Sequence, residues 1–409
     1  MNLITFLGTG VYNSATYTMN GEQHTSCFVA AALGTFLTPN TIFVLHTPES
    51  AIKLADLTSA CQHLEATISP VEIPSTMNEQ EMWEIFKVIS DCSRGAVALD
   101  ITHSFRAIPL LAAAAANFTK SAFGTKIAGV YYGAFVYGQP KDQETPIIDL
   151  QSFLDVMDWS SATAMFNQTG DARELSVVLS KLNGDYYLQK RTAQNGGNPK
   201  HLRKVSANLE RLSAALSLVR PREIPAAALK LTLSLNMATG EIQAFAPPLA
   251  EELKLLSDKY SWMAWDSGND NEQLLNEFKL IQWYLDHQQI MQAVSLAREW
   301  LVSYTVVHTG LPLSDWDHRN GVTKALNVLS NAGSAVENPA LDMILQSIQT
   351  ITGMKEAWSF VRDLRNDIDH CGMTRQVVPT DTLMANANEL PSRLAPLMES
   401  LGSDQLASQ

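Results

Sequence analysis

Cysteine is scarce and scattered: Cys27, Cys61, Cys92 and Cys371 are the four in 409 residues, and no two form a CxxC pair. That excludes a disulfide framework or a cysteine-based zinc site and implies the reduced thiols of a cytoplasmic protein. Long apolar runs are missing too. The alanine-rich stretch from Ile108 to Phe118 falls short of the roughly 18 uninterrupted apolar residues of a membrane span, so no membrane association is expected. The opening Met1–Phe6 carries neither a basic n-region nor a long apolar core, and is expected to begin the fold as a strand rather than to direct export. Positive charge is in the minority, 29 Lys and Arg against 42 Asp and Glu, for a formal net charge of −13. This balance excludes a protein that coats itself with nucleic acid, though not an enzyme that admits a strand through a local basic patch. Lys190, Arg191, Lys200, Arg203, Lys204, Arg211, Arg220 and Arg222 cluster in one span, read first as a solvated helix face plus the loop around Asn195–Pro199.

What is present is a well-buried globular chain, 46% apolar and 17% charged, long enough for two or three domains. The N-terminal part alternates β-rich runs with helical patterns. Strands are predicted at Leu3–Leu7, Thr41–His46, Thr67–Ile73, Ala96–Ile101 and Ile127–Tyr132, and helices at Glu49–Leu64, Asn78–Asp91 and Phe105–Phe123. Such alternation is the pattern of a Rossmann-like, doubly wound parallel sheet. Beyond Pro146 the pattern turns helical, with helices predicted over Leu150–Phe166, Ala172–Leu188, His201–Val219, Leu274–Leu285, Gln289–Val307, Gly321–Leu329, Met354–His370 and Thr382–Leu401. A strand-like break falls at Leu231–Leu235 or Ile242–Phe245. The fold class is therefore α/β plus all-α, divided into an N-terminal domain over 1–155, a helical linker over 156–268 and a helical C-terminal domain over 269–409.

Two constellations carry chemistry. The first strand ends in Gly8-Thr9-Gly10, with Tyr12 close behind, and the fourth runs into Asp100-Ile101-Thr102-His103-Ser104-Phe105-Arg106. Ligands of doubly wound sheets bind beyond the carboxyl ends of the strands, so both turns belong to one edge. There Thr102 and Ser104 can donate to phosphate or ribose oxygens and Arg106 can hold a phosphate bidentately. The competing reading makes the hydroxyls an ordinary helix N-cap. Val11-Tyr12-Asn13 supplies no third glycine for GxGxxG, and His46-Thr47 stand where a ribose-binding acid is expected, which sets a dinucleotide oxidoreductase aside.

The second constellation is Arg365-Asn366-Asp367-Ile368-Asp369-His370, inside an amphipathic run. Histidine moves protons near neutral pH and arginine holds a phosphate through a fork that never loses its charge. RNA transesterification needs such a pair: a base for the ribose 2′-hydroxyl and a fixed cation for the phosphorane. At about 100° per residue Arg365 and His370 lie about 140° apart, whereas Asn366 and His370 share a face. That favours a site completed by a second chain. His370 also reads as a helix C-terminal histidine with Gly372 as cap. Cys371 finds no separate His-acid arrangement to make it a nucleophile. His287, His308 and His318 show no metal-ligand spacing, carboxylate clusters are absent, and no metal or cofactor is expected. Glu299 reads as an exposed helix glutamate or as a residue aimed at the active centre. Trp262, Trp265, Trp283, Trp300 and Trp358 read as core or interface anchors.

Gly8-Thr9-Gly10 with Tyr12, the Asp-Ile-Thr-His-Ser-Phe-Arg segment at 100–106 and Tyr131-Tyr132-Gly133-Ala134-Phe135 together resemble the CARF domain of CRISPR-associated proteins. Thr145–Leu150, then Trp159, then Gly170-Asp171 look like the continuation of helical-linked members, and Arg365 to His370 resembles the Arg-x4–6-His motif of a HEPN ribonuclease. The resemblance implies an accessory ribonuclease of type III CRISPR systems, switched on by a cyclic oligoadenylate, with the tetra-adenylate the first expectation and the hexa-adenylate the second. It further implies a homodimer, with higher oligomers open, a single-stranded RNA substrate and metal-independent cleavage to 2′,3′-cyclic phosphate and 5′-hydroxyl ends. Gly8, Thr9, Gly10, Tyr12, Thr102, His103, Ser104, Phe105 and Arg106 become the ligand-binding candidates, and Arg365, Asn366 and His370 the catalytic ones. Slow cleavage of the activator by the hydroxyls of Thr9, Thr102 and Ser104 stays open. The rival from another class is a non-catalytic module that responds to a cyclic oligonucleotide and signals to a partner or to DNA.

Overall fold

The computed structural model describes residues 1–76, 78–104, 107–135, 144–190, 201–243, 246–266, 268–330, 339–373 and 377–407. Its contacts divide the chain into two compact units, Met1–Met157 and Asp158–Gln409. The first contains β1 (Asn2–Leu7), β2 (Ala15–Met19), β3 (Glu22–Ser26), α1 (Val29–Leu37), β4 (Thr41–His46), α2 (Leu54–Ala60), β5 (Thr67–Glu72), α3 (Glu79–Cys92), β6 (Ala96–Asp100), α4 (Ile108–Phe123), β7 (Lys126–Gly133) and β8 (Glu144–Asp149).

These strands form a sheet of order β3-β2-β8-β7-β6-β1-β4-β5. The run β7-β6-β1-β4-β5 is parallel throughout, and it consists of the five strands the sequence predicts. The sheet as a whole is mixed, because β8 runs antiparallel to β7 and β2 antiparallel to β3. β1 is buried on both faces, as a central parallel strand must be. Leu3 and Leu7 point to one core with Ile42, Val44 and α1, and Ile4 and Phe6 to the other with Ile85, Ile89 and Ile108. The period of two thus covers both faces with helices. On the first face Gly34 of α1 lets the helix close on its neighbours: a Cβ there would meet Leu64 Cδ1 at 2.3 Å.

The local stops follow from residue chemistry. Asn78 caps α3 by accepting from Glu81 N at 3.0 Å. α4 ends on Gly124 in the left-handed region. The helix predicted over Glu49–Leu64 is instead a 3-10 turn at Ala51–Lys53 followed by the shorter α2.

The second unit is helical. The helix α5 (Gln151–Thr169) runs into it, followed by α6 (Arg173–Lys190), α7 (Leu202–Ser217), α8 (Ile224–Gln243), α9 (Pro247–Tyr260), α10 (Asp270–Asp286), α11 (Ile290–His308), α12 (Trp316–Ser330), α13 (Pro339–Gln349), α14 (Met354–Asp369), α15 (Thr380–Asn388) and α16 (Leu390–Ala407). The strand-like break at 231–235 or 242–245 is overturned, since α8 is continuous to Gln243, and Ala244 and Phe245 lie outside the described residues. Thr382–Leu401 also divides into two helices. Pro391 has no N–H to offer the carbonyl of Ala387, so the ladder breaks there. No helix among the described residues is long and apolar enough to cross a membrane.

Candidate functional site

In the parallel run the chain leaves β1 toward β4 on one side, while β6 lies on the other, so strand order reverses between β1 and β6. A crevice forms at such a switch point, outside the carboxyl ends of the two strands. Gly8, Thr9, Gly10, Val11 and Tyr12 after β1, with His103 and Ser104 after β6, line a cavity of about 270 Å³ there. Two segments about ninety residues apart in sequence are thus brought together by one pair of neighbouring strands.

The β6 turn is fixed from below. Asp100 is fully buried; it accepts from Thr5 Oγ1 at 2.7 Å and from Thr102 N at 3.0 Å. The Thr102 hydroxyl in turn accepts from Gly133 N at 2.8 Å, and Ser104 Oγ donates to Ile101 O at 2.9 Å. Both hydroxyls therefore hold the turn in shape; Ser104 lines the cavity and Thr102 does not. The β1 turn comes very close: a Cβ on Gly8 would stand 3.0 Å from His103 O. Only a residue without a side chain leaves that approach open.

Tyr12 forms the wall between the turns. Its hydroxyl accepts from Gly8 N at 2.8 Å, and its ring centroid lies 4.6 Å from those of both His103 and Phe28. Burial pushes the Tyr12 phenol up to about 12, so it remains a neutral donor and acceptor. His103 is pushed the other way. Burial lowers its pKa below the usual imidazole range, Asp100 opposes that, and the Lys53 ammonium adds to it. Its buried Nε2 meets no hydrogen-bond partner among the described residues. That nitrogen is sealed from solvent behind the cavity wall, which is why burial weighs on the imidazole.

Lys53 is the residue that sequence reasoning missed. It ends the 3-10 turn after β4; its Nζ donates to Thr9 O at 2.9 Å and also to Gly10 O, and stands 4.8 Å from the Tyr12 ring centroid. A cation is thereby held over the glycine turn. The signal was faint, because nothing in Ile52-Lys53-Leu54 distinguishes this lysine from any other on a helix start. Phe105 and Arg106 lie outside the described residues.

The second constellation sits at the end of α14. Met354, Ala357, Trp358, Val361 and Leu364 form the buried stripe, and Arg365, Asn366 and His370 are exposed on the other side. Arg365 Nη2 pairs with Asp369 Oδ2 at 2.5 Å, one turn on, so within a single chain the guanidinium is held by a carboxylate. His370 N–H donates to Asn366 O at 3.1 Å, closing the last turn beneath the imidazole. The helix then stops through paired bonds, Cys371 N to Ile368 O at 3.0 Å and Gly372 N to Asp367 O at 3.0 Å. The left-handed turn begins at Cys371 (φ 53°) and continues through Gly372 (φ 67°), so the expected glycine cap is shared with a cysteine. Glu299 of α11 is tied to Arg298 and Arg319 rather than to this motif.

Residues 2–135 match the family model described as CRISPR system endoribonuclease Csx1, CARF domain, and residues 155–263 match that of CRISPR-associated protein MJ1674, second domain. The chain carries an N-terminal CARF domain similar to those of CRISPR-associated proteins. A curated relative, the CRISPR-associated protein MJ1674 of Methanocaldococcus jannaschii, is 29% identical over 108 residues, 25% of this chain and 17% of that protein. The match therefore spans well under two thirds of the relative's length. The β1–β6 crevice belongs to the CARF domain, which supports a CRISPR-related, cyclic-oligoadenylate-sensing role. Residues 269–409, with the Arg365 motif, lie outside the two matched spans.

Proposed function

We propose that the chain is a cyclic-oligoadenylate-activated, metal-independent endoribonuclease acting on single-stranded RNA in type III CRISPR defence in the cytoplasm. The observation that carries the reading is the crevice itself: the two glycine- and hydroxyl-bearing turns of a CARF domain meet around one cavity, with a cation beside it and His103 in its wall. Phosphates of the ring lie against Lys53 and the turn N–H groups, and an adenine edge meets His103. The tetra-adenylate is the first choice of ring and the hexa-adenylate the second.

At the other motif, His370 takes the proton of a ribose 2′-hydroxyl, the 2′-oxygen bonds to phosphorus and the P–O5′ bond breaks, the departing O5′ taking a proton from water. The products are a 2′,3′-cyclic phosphate and a 5′-hydroxyl. Arg365 balances the charge on the phosphorane and Asn366 orients the motif. The Arg365–Asp369 pairing within the chain and the angle to His370 support a homodimeric site in which a second copy's Arg365 meets this His370. The same pairing is what favours the second reading, a non-catalytic module that signals to a partner or DNA, because it leaves the arginine already neutralised.

Cleavage of a fluorophore-quencher RNA in EDTA, with each ring or none, separates the two. The expected outcome is strong cleavage with one ring size, abolished by His370→Ala. Ligand binding without cleavage by any ring establishes the second reading instead.

A further inference from the structure

A second cavity, of about 370 Å³, lies wholly in the helical unit and has no part in the reading above. It falls within the roughly 300–1,000 Å³ typical of small-molecule sites. The loop before α8, the inner sides of α10 and α11 and the start of α12 enclose it. At its rim Trp316 is 76% exposed, which leaves an indole face open to a ligand. Beside it stand Arg220, which makes no side-chain ion pair among the described residues, and Arg222, which donates to Leu313 O at 3.2 Å. At its floor Arg319 donates to Ser303 Oγ at 2.9 Å and to Glu299 Oε2 at 2.8 Å. Deeper still is Glu277, 4% exposed, which accepts from Gln273 Nε2 at 2.8 Å. A flat aromatic face, guanidiniums with donors to spare and a buried carboxyl-amide pair are the three groups that hold a base by its face, a phosphate by its oxygens and a base by its edge.

We propose that this cavity is a nucleotide subsite of the RNA path, with a base stacked on Trp316, its phosphate against Arg220 and Arg222, and its edge toward Glu277 and Gln273. The inference rests on the ribonuclease reading and adds to it where the strand lies. Its position fits. Arg298, the neighbour on α11 of the cavity's Glu299, has its Cζ 5.7 Å from the Trp358 ring centroid, so α11 bears both on the cavity and on α14. Arg365 is seven residues beyond Trp358, about 10 Å at the helical rise per residue. Cavity and motif are thereby joined through one pair of helices, α11 and α14. Burial raises the Glu277 pKa above the usual carboxylate range, with Gln273, Arg319 and Arg222 pulling the other way. Burial also acts to raise Glu299, but Arg298 and Arg319 outweigh it and keep that carboxylate charged.

The test is anisotropy of a labelled single-stranded RNA on the full chain in a His370→Ala background, with the activating ring present. Trp316→Ala weakens binding about tenfold with an unchanged salt slope, and Trp316→Phe restores most of it. Arg220→Gln weakens binding and lowers the slope of log K against log salt by about 0.7. Unchanged affinity in both Trp316→Ala and Arg220→Gln overturns the subsite, as does an identical slope change in the two. Displacement of the RNA by micromolar adenosine or uridine monophosphate overturns the strand assignment, because the cavity then takes free nucleotides. Failure of the wild type to cleave RNA, by contrast, strikes the ribonuclease reading and is read in a separate assay.

Discussion

Lys53 and His103 set the electrostatics of the CARF crevice between them. The ammonium is spent on two loop carbonyls, Thr9 O and Gly10 O, which a phosphate oxygen outbids because it carries a full charge. Lys53→Met is therefore expected to lower cyclic tetra-adenylate affinity about tenfold by calorimetric titration, the scale of one charge-assisted hydrogen bond. An unchanged affinity would assign the lysine to holding the glycine turn alone. His103 works through pH. Burial lowers its folded pKa below the ordinary value of 6.5, so the unfolded chain binds the proton first. The stability that comes from keeping it neutral is whole above 6.5 and is lost as pH falls through the lowered folded value. Thermal melts from pH 7.5 down to about 5, above the range where carboxylates titrate, should show a decline that His103→Gln flattens. An equal decline in both would place the titrating group elsewhere. Only half of this was legible in the sequence. His103 stood in a segment already marked by its strand end, whereas Lys53 enters through a fold-level neighbour relation, β4 beside β1, that no local pattern carries.

Among elements, the five strands of the parallel run announced themselves by composition, the edge strand β5 included, and β2 and β3 did not. β2 and β3 are short and polar, Ala-Thr-Tyr-Thr-Met and Glu-Gln-His-Thr-Ser, with little apolar alternation to read. Their turn was nonetheless written out. Asn20-Gly21, at φ 51° and 86°, joins Met19 to Glu22 in the two-residue hairpin that Asn-Gly favours. α8 misled for the opposite reason. Leu229, Leu231, Leu233 and Leu235 alternate as a strand does, yet in the helix they divide between two faces. Leu231 and Leu235 are buried with Ala228, Ala238 and Ile242, while Leu229 and Leu233 are about half exposed, at 50% and 48%. This division is measurable. Leu235→Ala should cost about 2–5 kcal/mol as a core truncation, and Leu233→Ala less than about 0.5 kcal/mol as a surface one. In a strand the two leucines would share a face and cost alike, so equal losses in chemical denaturation would refute the helix.

On the proposed function, the question for the whole molecule is how a ring bound in the CARF domain would govern a motif in the helical unit. Whatever the route, a ligand shifts an equilibrium only by its difference in affinity for the two states. Coupling between two binding events is also reciprocal: if the ring tightens RNA binding by a factor, RNA tightens ring binding by the same factor. Catalysis need not obey this, so the comparison belongs to a chain that binds and does not cut. In His370→Ala, ring affinity measured with and without saturating RNA, and RNA affinity measured with and without saturating ring, should change by one common factor. Couplings of this kind typically amount to about 5–150-fold. A common factor in that range means that one pair of global states serves both sites, and Arg365 is then free to exchange Asp369 for substrate in the favoured state. A factor of one in both directions, beside ring-dependent cleavage by the wild type, means that the ring acts on the chemical step and leaves RNA affinity untouched. The switch would then lie in how Arg365 is held against Asp369, and Asp369→Asn should raise cleavage in the absence of any ring.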